Sequence, residues 1–159
     1  PSYPITLCDS TIETVESFRF LGTIISQDLK WELNINSLTK KAQQRMYILR
    51  QLKRFNLPRT MMVQFYSSII ESILTSSITI WFVDATAKDK GRLQRVIRSA
   101  EKVTGCNLPS LQDLQASRIL RRAGKIVADP SHPSHRLFQS LPSDRRLRSI
   151  RTTTSCHKN

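Results

Sequence analysis

The sequence predicts a mainly α-helical fold, in which a short N-terminal β-hairpin is followed by a bundle of about four helices and a disordered basic tail. Apolar and polar residues alternate near the N-terminus. From Trp31 to Asp129 the apolar residues recur at steps of three and four, which is the spacing of one helix face. After Pro130 the chain is basic and rich in Ser and Thr, a composition typical of segments that do not fold alone.

The predicted hairpin lies within residues 4–26. Phe18 and Phe20 flank Arg19, as expected for a strand with one buried face. Gly22 follows closely and indicates a bend in the backbone.

Two helices are predicted to follow the hairpin. The first covers residues 31–55 and ends before Pro58, because a proline disfavours helical geometry in the residue that precedes it. Its apolar face is formed by Ile35, Leu38, Ala42, Leu49, Leu52 and Phe55. The second begins at Pro58, and its continuation over 75–81 is open between helix and strand.

Two further helices are predicted from their end signals. Thr86 with Asp89 resembles a capping box at the start of a third helix, and Gly105 is placed to end it. Ser110 is the expected N-cap of a fourth helix, which ends at residues 129–130. The inward face of the fourth helix is predicted to comprise Leu111, Leu114, Ile119, Ala123 and Ile126.

These elements predict four segments along the chain. They are a hairpin segment over 1–28, a helical segment over 29–83, a basic helical segment over 84–129, and a loop with a basic tail over 130–159. The chain begins with Pro1 rather than Met, and we therefore expect it to be an interior part of a longer protein.

The charge distribution predicts a polyanionic partner. The formal net charge is +13, and residues 31–159 carry +15 whereas residues 1–30 carry −2. Such a surplus attracts nucleic acid before membranes, and we expect RNA and DNA to be bound through their phosphates without sequence specificity, with no membrane partner. The alternative is an ordinary solvated basic surface. Arginine outnumbers lysine, which favours phosphate binding.

The candidate binding residues recur at helical steps on the predicted polar faces. In the first helix they are Lys40 and Lys41, in the third Arg92, Arg95, Arg98 and Lys102, and in the fourth Arg118, Arg121, Arg122 and Lys125. Like charges at these spacings repel one another, so that a bound phosphate chain would stabilise them.

The sequence predicts no catalytic centre, metal site or cofactor. Acidic residues are scattered singly, and no glycine-rich phosphate loop is present. A zinc site can be imagined from Cys106, His132, His135, Cys156 and His157, but their spacing matches no standard zinc pattern. The three unpaired-looking cysteines favour a reducing, intracellular compartment, with nucleus and cytoplasm both open.

Several short stretches together resemble the C-terminal part of a LINE-type (non-LTR) retrotransposon reverse transcriptase. They include Phe18–Gly22, Lys41–Arg45, Leu49–Leu52, Leu93–Val96 and residues 129–135. The resemblance implies the end of the polymerase palm over 1–28, a thumb over 29–83, and a basic region beyond. It further implies a primer-grip position at Phe20, Leu21 and Gly22, and upstream polymerase and endonuclease domains that this chain lacks.

A different assignment concerns the predicted first helix. Residues 31–55 also resemble an AlkB-type dioxygenase/tRNA-methyltransferase N-terminal region. The sequence shows neither the two-histidine, one-carboxylate iron site of a dioxygenase nor the glycine-rich cofactor turn of a methyltransferase. A translated relic without a selected function is a third alternative.

Overall fold

The computed structural model describes residues 6–7 and 10–138, and it confirms a mainly helical fold with an N-terminal hairpin. The chain divides into two compact units, residues 1–116 and 117–159. The predicted boundaries after residues 28, 83 and 129 stay predictions. Most of the predicted disordered tail lies outside the described residues.

The strands form two antiparallel pairs. Strand β1 (Thr6–Leu7) pairs with β2 (Ser10–Thr11), and β3 (Ser17–Phe20) pairs with β4 (Thr23–Ser26). A two-residue turn at positions 21–22 joins β3 to β4, and both of its residues have positive φ, 46° and 86°. This geometry is typical of a type I′ hairpin turn, and it confirms the bend predicted from Gly22.

The aromatic residues of β3 are more exposed than the alternation predicts. Phe18 and Phe20 are 59% and 57% exposed. The buried hairpin residues are instead Thr23 and Ser26 of β4, which is the strand beside the helices. Alternation predicts which residues share a face, but it does not tell whether another element covers that face.

Polar contacts attach β4 to the helical part of the first unit. The Ile24 N–H donates to Asn34 Oδ1 at 3.1 Å, and the hydroxyls of Thr23 and Ser77 are 2.7 Å apart. After β4, hydrogen bonds from the Ser26 hydroxyl and the Lys30 N–H lower the pKa of Asp28 to about 2. The hairpin is therefore fastened where the chain turns into the first helix.

Helix α1 (Glu32–Arg54) confirms the predicted first helix. Its buried residues recur at steps of three and four and include Asn34, Ile35, Leu38, Thr39, Ala42, Met46 and Leu49. Phe55, which was predicted on this face, caps the C-terminal end and is 76% exposed.

The predicted second helix is a series of short helical pieces. It comprises α2 (Arg59–Phe65), a π-helical turn (Tyr66–Glu71) and α3 (Ser72–Leu74), and α4 (Ile78–Trp81) follows after Ser77 adopts a left-handed φ of 51°. The residues buried along the first three pieces are Met62, Tyr66, Ile70 and Leu74. Their constant step of four fits a turn widened by i→i+5 hydrogen bonds. Residues 75–81, left open above, are helical apart from the turn.

Helix α5 (Ala87–Thr104) begins and ends at the predicted residues. The Thr86 hydroxyl accepts from the Asp89 N–H at 3.2 Å and lies 2.7 Å from its carboxylate, which forms the predicted capping box. Gly105 ends the helix with a left-handed φ of 68°. Both end signals are confirmed.

Helix α6 (Leu111–Ala128) starts at the predicted N-cap and differs from the prediction along its inward face. Ser110 and Asp113 form its capping box, with a hydroxyl–carboxylate distance of 2.6 Å. Leu111 is buried, and its N–H donates to Gln94 Oε1 at 3.0 Å. The remaining predicted inward residues, Leu114, Ile119, Ala123 and Ile126, are partly or largely exposed.

The core of the first unit lies where α1, α4 and α5 meet the segment 62–74. Trp81 is fully buried, and its indole N–H donates to the Ser76 carbonyl at 2.7 Å. Leu93 and Ile97 of α5 are also fully buried. Among the described helices, none combines the length and apolar character that crossing a bilayer requires.

Replacing Leu93 with Ala is expected to lower the free energy of unfolding by about 2–5 kcal/mol, because the change leaves a cavity in a closed core. Urea denaturation followed by circular dichroism measures this loss. Leu120, which is 72% exposed on α6, is the matched control. Its replacement by Ala should change stability by no more than about 0.5 kcal/mol, and equal losses in the two variants would contradict the packing described here.

Replacing Tyr66 with Phe is expected to raise stability by about 1–3 kcal/mol. The Tyr66 hydroxyl is buried without a hydrogen-bond partner among the described residues, and burial, with Glu71 and Glu101 nearby, raises its pKa well above the ordinary value of 10.0.

The same tyrosine predicts a pH dependence. Folding raises the pKa of the Tyr66 hydroxyl, so this hydroxyl ionises in the unfolded chain before it ionises in the folded protein. The free energy of unfolding is therefore unaffected by this group below pH 10 and falls as the pH rises above 10. The stability gap between Tyr66→Phe and the parent protein should therefore widen above pH 10 in denaturation experiments. The exposed Tyr47→Phe serves as control, and a gap that does not change with pH would show that the Tyr66 hydroxyl is solvated.

Candidate nucleic-acid interface

A polar groove of about 370 Å³ runs between α1 and α5. The α1 residues that line it are Asn36, Thr39, Lys40, Gln43, Met46 and Arg50. The α5 residues that line it are Arg92, Arg95, Val96 and Ser99. Four of these ten side chains are cationic and none is acidic, so the groove is a positively charged concavity.

Helical periodicity places these side chains beside the core. Met46 and Val96 are 2% and 5% exposed and form the apolar floor of the groove. The neighbouring polar positions of each helix border the same seam, because residues three and four apart share a helix face. The groove therefore exists because α1 and α5 pack along one another.

Arg92 is the most firmly positioned cation of the groove. Its Nη1 donates to Asn36 Oδ1 at 2.6 Å, across the seam, and lies 3.3 Å from Asp89 Oδ1. Asp89 is itself held by the Thr86 hydroxyl. Both bonds use Nη1, which leaves Nη2 and Nε of this planar fork for an anion. Its side chain is 31% exposed, enough to be reached by a ligand.

The other cations of the groove are less restrained. Lys40 and Arg50 are exposed and have no hydrogen-bond or ion-pair partner among the described residues. Arg95 donates from Nε to the Gly91 carbonyl of its own helix at 3.3 Å. A groove with one fixed guanidinium and three exposed cations suits a flexible chain of phosphates.

The groove unites three of the residues predicted from sequence, Lys40, Arg92 and Arg95. Arg98 and Lys102 do not line this groove but a shallow depression at the C-terminal end of α5. There the Lys102 carbonyl accepts from Lys53 Nζ at 3.2 Å. The row of four cations on α5 is thus divided between two surfaces along the helix.

The remaining predicted residues lie elsewhere. Lys41 is half-buried on α1 and does not line the groove. The cations of α6 belong to the second unit and are exposed there: Arg118, Arg121, Arg122 and Lys125. Phe20, Leu21 and Gly22 form the tip of the β3–β4 hairpin, where Leu21 is 88% exposed.

Sequence reasoning missed several residues that line the groove, among them Asn36, Gln43 and Arg50. It also missed Tyr47, which is exposed on the same helix between Gln43 and Arg50. A signal was present, since polar residues and one tyrosine follow one another on α1 at alternating steps of four and three. This row, called here the α1 stripe, consists of Asn36, Lys40, Gln43, Tyr47 and Arg50.

The imagined zinc ligands do not converge in the part of the chain that the structure describes. His132 Nδ1 accepts from the Ser134 N–H at 3.0 Å, and His135 Nδ1 lies 3.0 Å from the Ile126 carbonyl, so both rings serve local turns. Cys106 is a free, half-buried thiol. Cys156 and His157 lie outside the described residues, and no group of three ligating side chains occurs within them.

Comparison with known proteins yields one family match. Residues 31–72 match the family described as alkylated DNA repair protein alkB homolog 8, N-terminal. The match spans about a quarter of the chain, covering α1, α2 and the π-helical turn but not α5. No curated protein and no solved structure matches the chain.

This match corrects the resemblance stated above. The family found is an AlkB-type N-terminal family and not a reverse transcriptase family, so the assignment to a LINE-type retrotransposon is wrong. The names palm, thumb and primer grip, the last given to Phe20, Leu21 and Gly22, are withdrawn with it. The stretches behind that resemblance, such as 41–45 and 49–52, are parts of a basic amphipathic helix. Such helices occur in unrelated proteins, because any helix with one buried face needs apolar residues at this spacing.

The bond between Asn36 and Arg92 predicts a measurable coupling between α1 and α5. In a double-mutant cycle of Asn36→Ala and Arg92→Ala, we expect a coupling energy of about 1–3 kcal/mol, since this is a hydrogen bond with a charged donor. The cycle is read out by urea denaturation. Asn36 paired with Arg95, which lines the same groove without contacting Asn36, is the matched control and should show coupling near zero. Equal coupling in the two cycles would mean that Arg92 is not held by Asn36.

Proposed function

We propose that this chain is a non-catalytic, nucleic-acid-binding segment related to the N-terminal part of an alkylated DNA repair protein, and that it holds RNA or DNA phosphates in the α1–α5 groove. The observation that carries the proposal is the fixed Arg92 guanidinium beside the exposed cations Lys40, Arg50 and Arg95. Binding through phosphates does not depend on base identity.

The charge arrangement supports a phosphate ligand over a solvated surface. In a solvated basic helix, acidic residues at i±4 usually relieve the repulsion between cations. Here the carboxylate in contact with a groove cation belongs to Asp89, and it binds Arg92 through Nη1 while also serving the helix cap. The rest of the groove stays cationic, and a polyanion would stabilise it.

The family match supports a role in holding a substrate. The matched family is named for a protein of alkylated DNA repair, a name that is consistent with a nucleic-acid ligand. Residues 31–72 contain α1, which contributes one wall of the groove. No three metal-ligating side chains meet within the described residues, and we therefore assign no step of an oxygenase reaction to this chain.

Binding of a fluorescent oligonucleotide is expected to weaken steeply between roughly 50 and 200 mM salt, with a slope of about 0.7–0.9 per phosphate neutralised. Replacing the four groove cations with Gln should lower the affinity and flatten this slope. Gln is close to Arg and Lys in helix propensity, so the helices should persist. Fluorescence anisotropy measures the affinity, and circular dichroism the helicity. The quadruple variant comprises Lys40→Gln, Arg50→Gln, Arg92→Gln and Arg95→Gln.

A second quadruple variant with the same change in net charge is the control. It replaces Arg145, Arg146, Arg148 and Arg151, all outside the described residues, with Gln. If both variants lose the same affinity and slope, net charge rather than the groove binds the nucleic acid. If neither loses any, the proposal fails and the basic residues are solvated surface.

A further inference from the structure

Tyr47 is an exposed aromatic residue within a row of cations and amides. Its side chain is 63% exposed, and it stands on the α1 stripe four residues after Gln43 and three before Arg50. Residues at these spacings are neighbours on a helix surface. A single exposed tyrosine is ordinary in a protein. Tyr47, however, lies between Gln43 and Arg50, two residues that line the groove.

The interior of the groove suits a base better than a duplex. Its floor is apolar, from Met46 and Val96, and its walls carry neutral hydrogen-bonding groups such as Gln43 and Ser99. A volume of about 370 Å³ falls at the lower end of the range for small-molecule sites, roughly 300–1,000 Å³. Bases in a duplex are stacked on each other and present their phosphates outward, so a duplex would use the cations and leave this floor empty.

We infer that the groove binds single-stranded nucleic acid, with Tyr47 stacking on one base while Arg92 holds a phosphate further along the same strand. This inference rests on the proposed function and adds the strandedness of the ligand. The tyrosine ring supplies a flat face that any base can stack on, which preserves the lack of sequence specificity. The Asn36 bond keeps Arg92 in place. Tyr47 lies on the same helix as Asn36, about three turns further along, so the two side chains would contact different nucleotides of one strand.

The test compares a single-stranded oligonucleotide with a hairpin duplex of the same length and charge at fixed salt. Base–aromatic stacking is worth about 1–3 kcal/mol per base, so Tyr47→Ala should weaken single-strand binding by about 5- to 150-fold. Tyr47→Phe keeps the ring and should retain the affinity. Duplex binding should be unchanged in both variants. The slope with salt should also be unchanged, because stacking neutralises no phosphate.

Phe55→Ala is the matched control for loss of an exposed aromatic. Phe55 is 76% exposed at the C-terminal end of α1, off the α1 stripe, and its removal should leave single-strand binding unaltered. Thermal unfolding of all variants reports on folding, which an exposed side chain should not alter.

The outcomes separate this inference from the function on which it rests. If the protein binds duplex as tightly as single strands and Tyr47→Ala affects neither, the groove binds phosphates alone and the stacking role is overturned. If Tyr47→Ala and Phe55→Ala weaken binding equally, the site is not at Tyr47. If the parent protein binds neither ligand at low salt, both the inference and the proposed function fail.

Discussion

The buried contact between α1 and α5 is the interaction on which the rest of the structure depends. Each helix carries one continuous apolar stripe, represented by Ile35 and Leu49 on α1 and by Leu93 and Ile97 on α5, and all four residues are fully buried. When two such stripes meet, the rotation of each helix about its axis is fixed. The polar residues that flank the stripes are then brought side by side. The groove is thus a consequence of how the core packs.

The balance of energies explains how a protein can hold these cations together without a ligand. Like charges three or four residues apart on a helix destabilise it by about 0.2–0.5 kcal/mol per pair. Burying one Leu or Ile side chain contributes about 1.5–3 kcal/mol. The core therefore outweighs the repulsion along the groove. Asp89 offsets the charge of Arg92 alone, and Lys40, Arg50 and Arg95 keep the groove cationic.

Much of the fold could be predicted from sequence because its signals are local. Helix α1 follows from periodicity, and the starts of α5 and α6 follow from the capping residues Thr86 and Ser110. The break in the second predicted helix could not be foreseen, because no Gly or Pro marks the π-helical turn or the left-handed Ser77. Both result from packing around Trp81. Tertiary contacts override propensity at such places.

The interface was predicted in part for the same reason. Periodicity places Arg92 and Arg95 on one face of α5. Which surface that face packs beside depends on α1, and α1 supplies Asn36, the partner of Arg92. Arg98 and Lys102 were grouped with them because steps of three and four residues were treated as one face, although these two residues line a different depression. Tyr47 was missed because an aromatic in an amphipathic helix is more often a core residue. Its exposure is visible only when the neighbouring helices are in place.

The family match ends between α1 and α5, the two helices that form the walls of the groove. It therefore covers one wall and not the other. Residues 31–72 contain the α1 stripe with Lys40, Tyr47 and Arg50, whereas Arg92 lies beyond them. Most of the stability of a helix in a protein comes from packing its apolar face. Helix α5 supplies that packing together with the fixed guanidinium. Binding should therefore require both helices. A relative that shares residues 31–72 would form such a groove only if it also has a helix that corresponds to α5.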